Sequence, residues 1–337
     1  MIITINKKGT DTYEVLKPNK IKAIKNKEDM YEIYYEEELL SKIELKLKRD
    51  SYLGRIIEKS DNELKIQIIT YAPLHTHTGM SLLDGAIRIG DLAKEAPYYC
   101  AITDHGAMYG FLDFYKSMNA QKKYPIIGFE AYTEDFSGNK EGYHLLLLAK
   151  NNVGLKNLIK LTSKAFDNFY RKPQVSAEML KEHSEGVIAT TACLGGLIPH
   201  LILENKLDEA EKALFEYKKI FGEDFYIELQ RHGIEGEEII EPALINLAKK
   251  HNLKLIATAD SHYLKEDDAY SHEILLCLQT KKTISEDHFK FDGTGYHFMS
   301  CEEMEDLFSD MPEILDNTLE IAEKCKVELE LNNINMP

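Results

Sequence analysis

The 337-residue chain has no apolar run approaching the roughly 20 residues that a bilayer crossing takes. Its opening, MIITINKKGTDTYEV, lacks the basic start and apolar stretch of a secretory signal. These absences lead us to expect a cytoplasmic protein with no membrane span. Cysteine is scarce: Cys100, Cys193, Cys277, Cys301 and Cys325 are scattered, odd in number and never in a CxxC pair. That excludes a disulfide framework and a zinc ribbon. Basic residues are also in short supply, with 41 Lys and Arg against 57 Asp and Glu and a net charge of −16. A broad basic face for duplex DNA is therefore excluded, since such affinity comes largely from cations that neutralise phosphates. There is no GxGxxG after a strand, no Walker loop and no GxSxG elbow. Repeats, low-complexity tracts and long flexible linkers are missing too.

What is present has two textures. Residues 1–70 carry 14 basic and 13 acidic side chains, so the acid excess lies in the remainder. Within that first part, short runs rich in Tyr, Ile and Val (Met30 to Tyr35, Lys42 to Lys48, Leu64 to Thr70) predict a small β-rich module whose role is not legible. Residues 71–337 form the second domain. Here apolar runs of strand length alternate with helical patterns such as Leu207 to Phe221 and Glu238 to His251. The runs are Ala72 to Leu74, Tyr99 to Thr103, Pro125 to Tyr132, Leu145 to Ala149, Gly186 to Ala192, Phe225 to Leu229 and Lys254 to Ala259. The expected fold class is α/β, with a parallel sheet covered on both faces by helices, and seven such strands favour a closed, barrel-like arrangement over an open sheet.

The chemistry sits at the ends of these runs. His75 and His77 follow the first in LHTHT, Asp104 and His105 end the second in ITDHG, and Glu130 lies late in the third. Cys193 follows the fifth, while Asp260 and His262 close the seventh in ATADSHY. Strand ends of a barrel converge on one face, so these side chains should share a pocket. HxH and DxH each place two ligand types on one side of an extended segment, because strand side chains alternate. A lone HxH is more often surface decoration, but two such pairs with three further donors are hard to explain as packing. Imidazole with carboxylate suits zinc, manganese or iron, and the donors exceed the needs of one tetrahedral ion. A multi-metal cluster can clamp phosphoryl oxygens and activate water, which points to phosphoester hydrolysis. An acidic body handling an anionic substrate needs such a local positive charge. Cys193 has glycines beside it in TACLGG but no P-loop lysine follows; thiolate ligation or burial fits better than a role as nucleophile.

Seven strings resemble the PHP (polymerase and histidinol phosphatase) domain of bacterial DNA polymerase III alpha subunits. They are LHTHTGMSLLDGAIRIGDL, AITDHGAMYGFLDFYK, PIIGFEAY, HLLLLAKNNVGLKNLIKL, GVIATTACLGG, YIELQRHG and ATADSHYL, and they span roughly residues 72 to 325. The likeness is to the DnaE-like branch, because no exonuclease domain interrupts the segment. It implies a distorted seven-stranded, TIM-like β/α barrel with a trinuclear centre of two or three divalent ions, zinc, manganese, iron or magnesium. Carried over motif by motif, the implied ligands are His75, His77, Asp84, His105, Glu130, His144, Cys193, Asp260 and His262. Asp84 and His144 rest on the resemblance alone: a helix N-cap is the plainer reading of Asp84, and His144 precedes its apolar run. His75, His77, Asp260 and His262 are the expected catalytic group together with Asp104, which would orient an imidazole. Arg231 and His232 are candidates for substrate phosphate, with a rim salt bridge as the alternative. His183, His200, His251, His272, His288 and His297 are expected to be structural or exposed.

The chain ends at NNINMP, about where the family's polymerase palm begins, so no nucleotide-transfer activity is expected of it. The resemblance implies a metal-dependent phosphoesterase of 3′→5′ exonuclease type, acting on a DNA 3′ end in the company of a polymerase core or other replisome subunits. Two alternatives stand beside it: a small-molecule phosphatase or pyrophosphatase, and a metal-stabilised docking module without turnover.

Overall fold

A computed structural model describes residues 2–6, 21–25, 30–35, 38–43, 51–59 and 63–331. The chain divides into two compact units, Met1–Tyr71 and Ala72–Pro337.

The first unit is a six-stranded antiparallel sheet of β1 (Ile2–Asn6), β2 (Ile21–Lys25), β3 (Tyr31–Tyr35), β4 (Glu38–Ile43), β5 (Ser51–Lys59) and β6 (Glu63–Ile69), in the order β1-β6-β5-β2-β3-β4. Period-two alternation puts Tyr31, Ile33 and Tyr35 of β3, and Leu64, Ile66 and Ile68 of β6, inside. The run expected over Lys42 to Lys48 is replaced by β4, and residues 44–50 lie outside the described ones.

The second unit holds β7 (Tyr99–Ile102), β8 (Tyr124–Thr133), β9 (Tyr143–Ala149), β10 (Phe169–Tyr170), β11 (Lys172–Val175), β12 (Val187–Thr190), β13 (Phe225–Leu229) and β14 (Leu255–Ala257). Their order is β10-β11-β8-β9-β12-β13-β14, with β7 on the first half of β8. The expectation of a parallel sheet needs correction at β9 and at the short edge strand β10, which runs antiparallel to β11. β9 runs antiparallel to both its neighbours, β8 and β12, while β7–β8, β12–β13 and β13–β14 are parallel. Residues 143–149 are YHLLLLA, a nearly unbroken apolar run buried on both faces, and such a run carries no mark of direction.

Ala72 to Leu74 is not a regular strand. The Pro73–His77 segment is tied on one side by Ala101 N–H to Pro73 O (2.8 Å) and Thr103 N–H to Thr76 O (3.0 Å), and on the other by His77 N–H to Ser261 O (2.8 Å). Pro73 has no N–H to give, and Thr76 N–H goes to the Thr103 hydroxyl at 2.7 Å, so the ladder is interrupted.

The helices are α1 (Ile89–Glu95), α2 (Phe111–Ala120), α3 (Asn152–Asp167), α4 (Ala177–Glu182), α5 (Leu197–Leu203), α6 (Leu207–Phe221), α7 (Glu235–His251), α8 (Ala269–Thr280), α9 (Cys301–Leu307) and α10 (Glu313–Lys324). In α6, Ala210, Ala213, Leu214, Tyr217 and Phe221 recur at helical spacing and are buried. Asn151 caps α3 by accepting from Val153 N–H and Gly154 N–H. Among the described residues no helix is long and apolar enough to cross a membrane.

Candidate metal centre

All nine residues singled out as ligands meet in one cluster. His75 and His77 leave the same side of the bridged segment, and the paired backbone of Ser261 sets Asp260 and His262 beside them. His75 Nε2 and His77 Nε2 lie 3.1 Å apart, and each is 3.1 Å from Asp260 Oδ1. Glu130, fully buried on β8, joins this group to the rest. Its Oε1 is 3.4 Å from His75 Nε2 and 3.0 Å from His144 Nδ1, and its Oε2 is 3.5 Å from His77 Nε2 and 2.7 Å from His105 Nδ1. His105 Nε2 reaches Asp84 Oδ2 at 2.9 Å, and His262 Nε2 approaches the same oxygen at 3.8 Å. Cys193 Sγ is 3.3 Å from His144 Nδ1.

The reversed strand explains why His144 precedes its run. Antiparallel β9 begins at the edge where its neighbours end, and its register sets His144 against Tyr132 and Leu146 against Glu130. Asp84 is not a helix cap either: α1 begins only at Ile89, after Arg88. It hangs on a turn closed by Asp84 N–H and Gly85 N–H to Ser81 O. A Cβ at Gly85 would run into the Thr78 carbonyl, so only glycine lets this loop fold back under HxH. Three non-glycine residues at the cluster have positive φ: Leu83 (61°) before Asp84, Ala192 (56°) before Cys193, and Asp260 itself (43°). Left-handed backbone of this kind concentrates where the fold must aim a functional side chain.

The surrounding hydrogen bonds fix where the imidazole protons sit. Ser81 Oγ–H donates to Asp104 Oδ1 (3.0 Å), so it accepts from His77 Nδ1–H (3.0 Å). His75 Nδ1–H donates to Glu228 Oε1 (2.7 Å), and His262 Nδ1–H to the Asp260 carbonyl (2.7 Å). Each ring is therefore left with its Nε2 lone pair turned into the cluster. Two lone pairs facing each other and a carboxylate at about van der Waals distance call for a cation between them. Asp260 Oδ1, Glu130 Oε2 and His105 Nδ1, moreover, are buried and make no well-aligned hydrogen bond. The donor set fits divalent ions, and three groupings bring ligand atoms within 4.8 Å of one another: His75, His77 and Asp260; His77, His105 and His262; and His105, Glu130 and His144.

With protons as the only cations, the cluster is electrostatically divided. Burial, and then the neighbouring His105 and His262, hold His77 down to about 3. Burial also opposes charge on His105, but Glu130 and Asp84 push it up to about 10. Burial, then Glu130 and Asp260, push the Cys193 thiol well above its usual range, so it is not a ready nucleophile.

Asp104, Arg231 and His232 lie outside the ring of ligand atoms. Asp104 does not face the ligand atoms; it lies one side chain behind them, accepting from Thr78 N–H (2.6 Å), the Thr78 hydroxyl and Ser81. Arg231 and His232 are satisfied within the protein. Arg231 pairs with Glu241 (2.6 Å) and Asp310 (2.7 Å) and donates to Leu307 O. His232 spends Nδ1 on Glu237 (2.6 Å) and Nε2 on Ala259 O (3.0 Å). Of the remaining histidines, His272 is buried against His262 and Phe291, while His251, His288 and His297 pair with Glu211, Glu273 and Glu303. His183 and His200 lie near Glu182 and Glu204.

Glu228 is the functional residue that sequence reasoning missed. It is buried on β13 and receives His75 Nδ1–H, the Thr258 hydroxyl (2.5 Å), Gln230 Nε2–H (2.9 Å) and the Thr190 hydroxyl. Its signal was an acid inside the apolar run FYIEL. Lys172 was also overlooked: its ammonium lies 4.0 Å above the Tyr132 ring, which in turn stacks on His105 at 5.6 Å.

Residues 73–232 match the PHP domain family. DNA polymerase III subunit alpha of Borreliella burgdorferi is 43% identical over 266 residues, covering 75% of this chain and 23% of the relative. The same subunit of Aquifex aeolicus is 41% identical over 286 residues, covering 77% of this chain and 25% of the relative. The chain thus spans about a quarter of the length of the curated relatives it matches. Among solved structures, an amidohydrolase from Chromobacterium violaceum aligns with a TM-score of 0.37 and 16% identity, over 57% of this chain and 87% of that one, a likeness too slight to argue from.

Proposed function

We propose, from the premise that this chain belongs to the PHP domain family, that its second unit is a metal-dependent phosphoesterase whose nine clustered donors hold two or three divalent ions. The observation that carries this reading is the convergence of the His75 and His77 Nε2 lone pairs on each other and on the buried Asp260 carboxylate. His75, His77, Asp84, His105, Glu130, His144, Cys193, Asp260 and His262 would be the ligands in this reading, with the two Glu130 oxygens facing four of the histidines. Bound divalent ions would supply Lewis acidity toward a phosphoryl oxygen and a water acidified enough to attack at neutral pH.

The chain's own residues do the rest. Glu228 fixes the His75 tautomer and Asp104, through Ser81, fixes that of His77. The apolar strands beneath keep water from the floor of the site, while the more open His105, His144 and Cys193 form its rim. Lys172 stands near that rim with a positive charge available to an incoming anion.

The finer reading is a 3′→5′ exonuclease that trims a DNA 3′ end in a replisome, working in the cytoplasm beside a polymerase core, with residues 1–70 as an accessory β-rich module and residues 71–337 as a closed, barrel-like PHP domain. Support comes from the alpha-subunit relatives and from the hydrogen bonds that the Pro73–His77 segment makes on both sides. The test is release of nucleotides from a 3′-recessed oligonucleotide by metal-stripped protein to which manganese, zinc, iron or magnesium is returned. Activity that returns with metal and vanishes in His75→Ala sustains the exonuclease. Turnover of pyrophosphate or histidinol phosphate in its place would move the assignment to a small-molecule phosphatase, and metal uptake without any turnover to a docking module.

A further inference from the structure

One wall of the metal cleft is aromatic and is not used by anything described so far. The cleft has a volume of about 460 Å³, within the range of small-ligand sites, and is lined on one side by His105, His144, Asp260 and His262. On the other side stand Phe289, Lys290, Phe291 and Tyr296. Phe291 turns its edge to His262 at 4.8 Å and to Tyr296 at 4.8 Å, and Phe289 meets Phe291 at 5.9 Å. The back of Tyr296 is stacked on His232 at 3.9 Å and 4°, and His232 is clamped by Glu237. Backbone bonds pin the segment to the site: His262 N–H to Tyr296 O (2.8 Å), Thr294 N–H to His232 O (2.9 Å) and Phe298 N–H to Tyr263 O (2.8 Å). The wall is thus held at a fixed place relative to the ligand cluster.

Phe289 is 53% exposed. A single exposed phenylalanine is ordinary on a protein surface. This one differs because it shares its cleft with the histidines and stands beside an exposed lysine. A site that pairs a cation-binding floor with a flat apolar wall suits a ligand with a phosphate at one end and an aromatic ring at the other. Inorganic phosphate, pyrophosphate and sugar phosphates present no such ring. We infer that Phe289, with Phe291 and Tyr296 behind it, is a stacking platform for the nucleobase of a phosphoester substrate, and that Lys290 meets its anionic backbone. This specificity rests on the phosphoesterase reading above, yet as a binding property it can be measured without turnover.

Calorimetric titration of manganese-loaded protein with thymidine 5′-monophosphate and with 2-deoxyribose 5-phosphate tests it. Base–aromatic stacking predicts about a 5- to 150-fold preference for the nucleotide. Phe289→Ala should bring the two affinities within about twofold while leaving that for the sugar phosphate unchanged, and Phe289→Trp should restore the preference. Equal affinities in the wild-type protein, or a preference that survives Phe289→Ala, would overturn the platform. Hydrolysis of bis-p-nitrophenyl phosphate by the same samples separates the two ideas. Turnover without nucleotide preference removes the platform alone; preference without turnover sustains the platform and removes the hydrolase.

Discussion

Glu228→Gln is a sharp perturbation because it changes one charge and almost no volume. The carboxylate is 2% exposed and accepts from His75, Thr258, Gln230 and Thr190. Alanine there would take the shared acceptor from four donors, leaving the buried His75 Nδ1–H without a partner at about 1–3 kcal/mol, and risks the fold. Glutamine keeps a carbonyl oxygen for His75 Nδ1–H, and the Thr190 hydroxyl can rotate to accept from the new amide. What is lost is the charge on the acceptor. Hydrogen bonds to ionised groups contribute about 1.5–3 kcal/mol and neutral ones about 0.5–1.5, so His75 loses about 1–1.5 kcal/mol as a ligand. At about 1.4 kcal/mol per decade, this alone weakens metal binding about tenfold, and partners behind metal ligands are worth about 10–100-fold in general. Competition with a fluorescent chelator should show manganese affinity lower by about tenfold or more, with the melting temperatures of the metal-free proteins alike. Affinity within about twofold of wild type would refute the claim that Glu228 sets His75 as a ligand.

Asp104→Asn should act the same way one step further from the ions, lowering hydrolysis about tenfold, and Ser81→Ala should match it, since both act through His77 Nδ1; normal activity in either variant would detach Asp104 from the site. Arg231→Ala should leave hydrolysis and metal content unchanged while lowering stability by about 1 kcal/mol, a figure kept small because its partner Asp310 is exposed to solvent; a selective loss of activity would restore it as a substrate contact. Burial opposes charge on His232, yet Glu237 and the Ala259 carbonyl raise its pKa above the ordinary value of 6.5. A raised folded-state pKa gives stability that is fully present below about pH 6.5 and is lost as pH rises through the folded value. The stability gap between wild type and Glu237→Gln, read by denaturant unfolding, should therefore be widest in acid and narrow with rising pH; a gap that widens toward alkaline pH would contradict this. Asn151→Ala removes the α3 cap and should cost about 1 kcal/mol by the same measurement, with hydrolysis untouched.

How much of this was legible depends on what each element leaves in the chain. The α6 span is recovered residue for residue, because its apolar positions recur at helical spacing over a full 15 residues. HxH and DxH were readable because extended backbone fixes which side chains share a face, and the Ser261 bridge then brings the two pairs together. Strand direction was not readable. HLLLLA would bury equally well either way up, and only pairing with β8 and β12 makes β9 antiparallel and puts His144 at the ligand edge. Asp84 was hidden for another reason: its position depends on a left-handed Leu83 and a glycine under the Thr78 carbonyl, neither of which has a periodic signature. For Arg231 and His232 the sequence left a phosphate contact and a rim salt bridge side by side, because it places them at a strand end but does not reveal Glu237, Glu241 and Asp310, with which they pair. Glu228 was passed over because nothing in the run FYIEL shows that its one acid is buried, and here it is the buried acceptor that orients a histidine.

The central claim is that nine converging side chains form a multi-ion centre, and counting the ions tests it most directly. Protein loaded with manganese, freed of excess metal and analysed by plasma mass spectrometry should retain at least two equivalents per chain, and His75→Ala, Glu130→Ala and Asp260→Ala should each retain fewer while keeping the wild-type circular dichroism spectrum. A wild-type protein that holds no stoichiometric metal, or variants that hold as much as wild type, would contradict it.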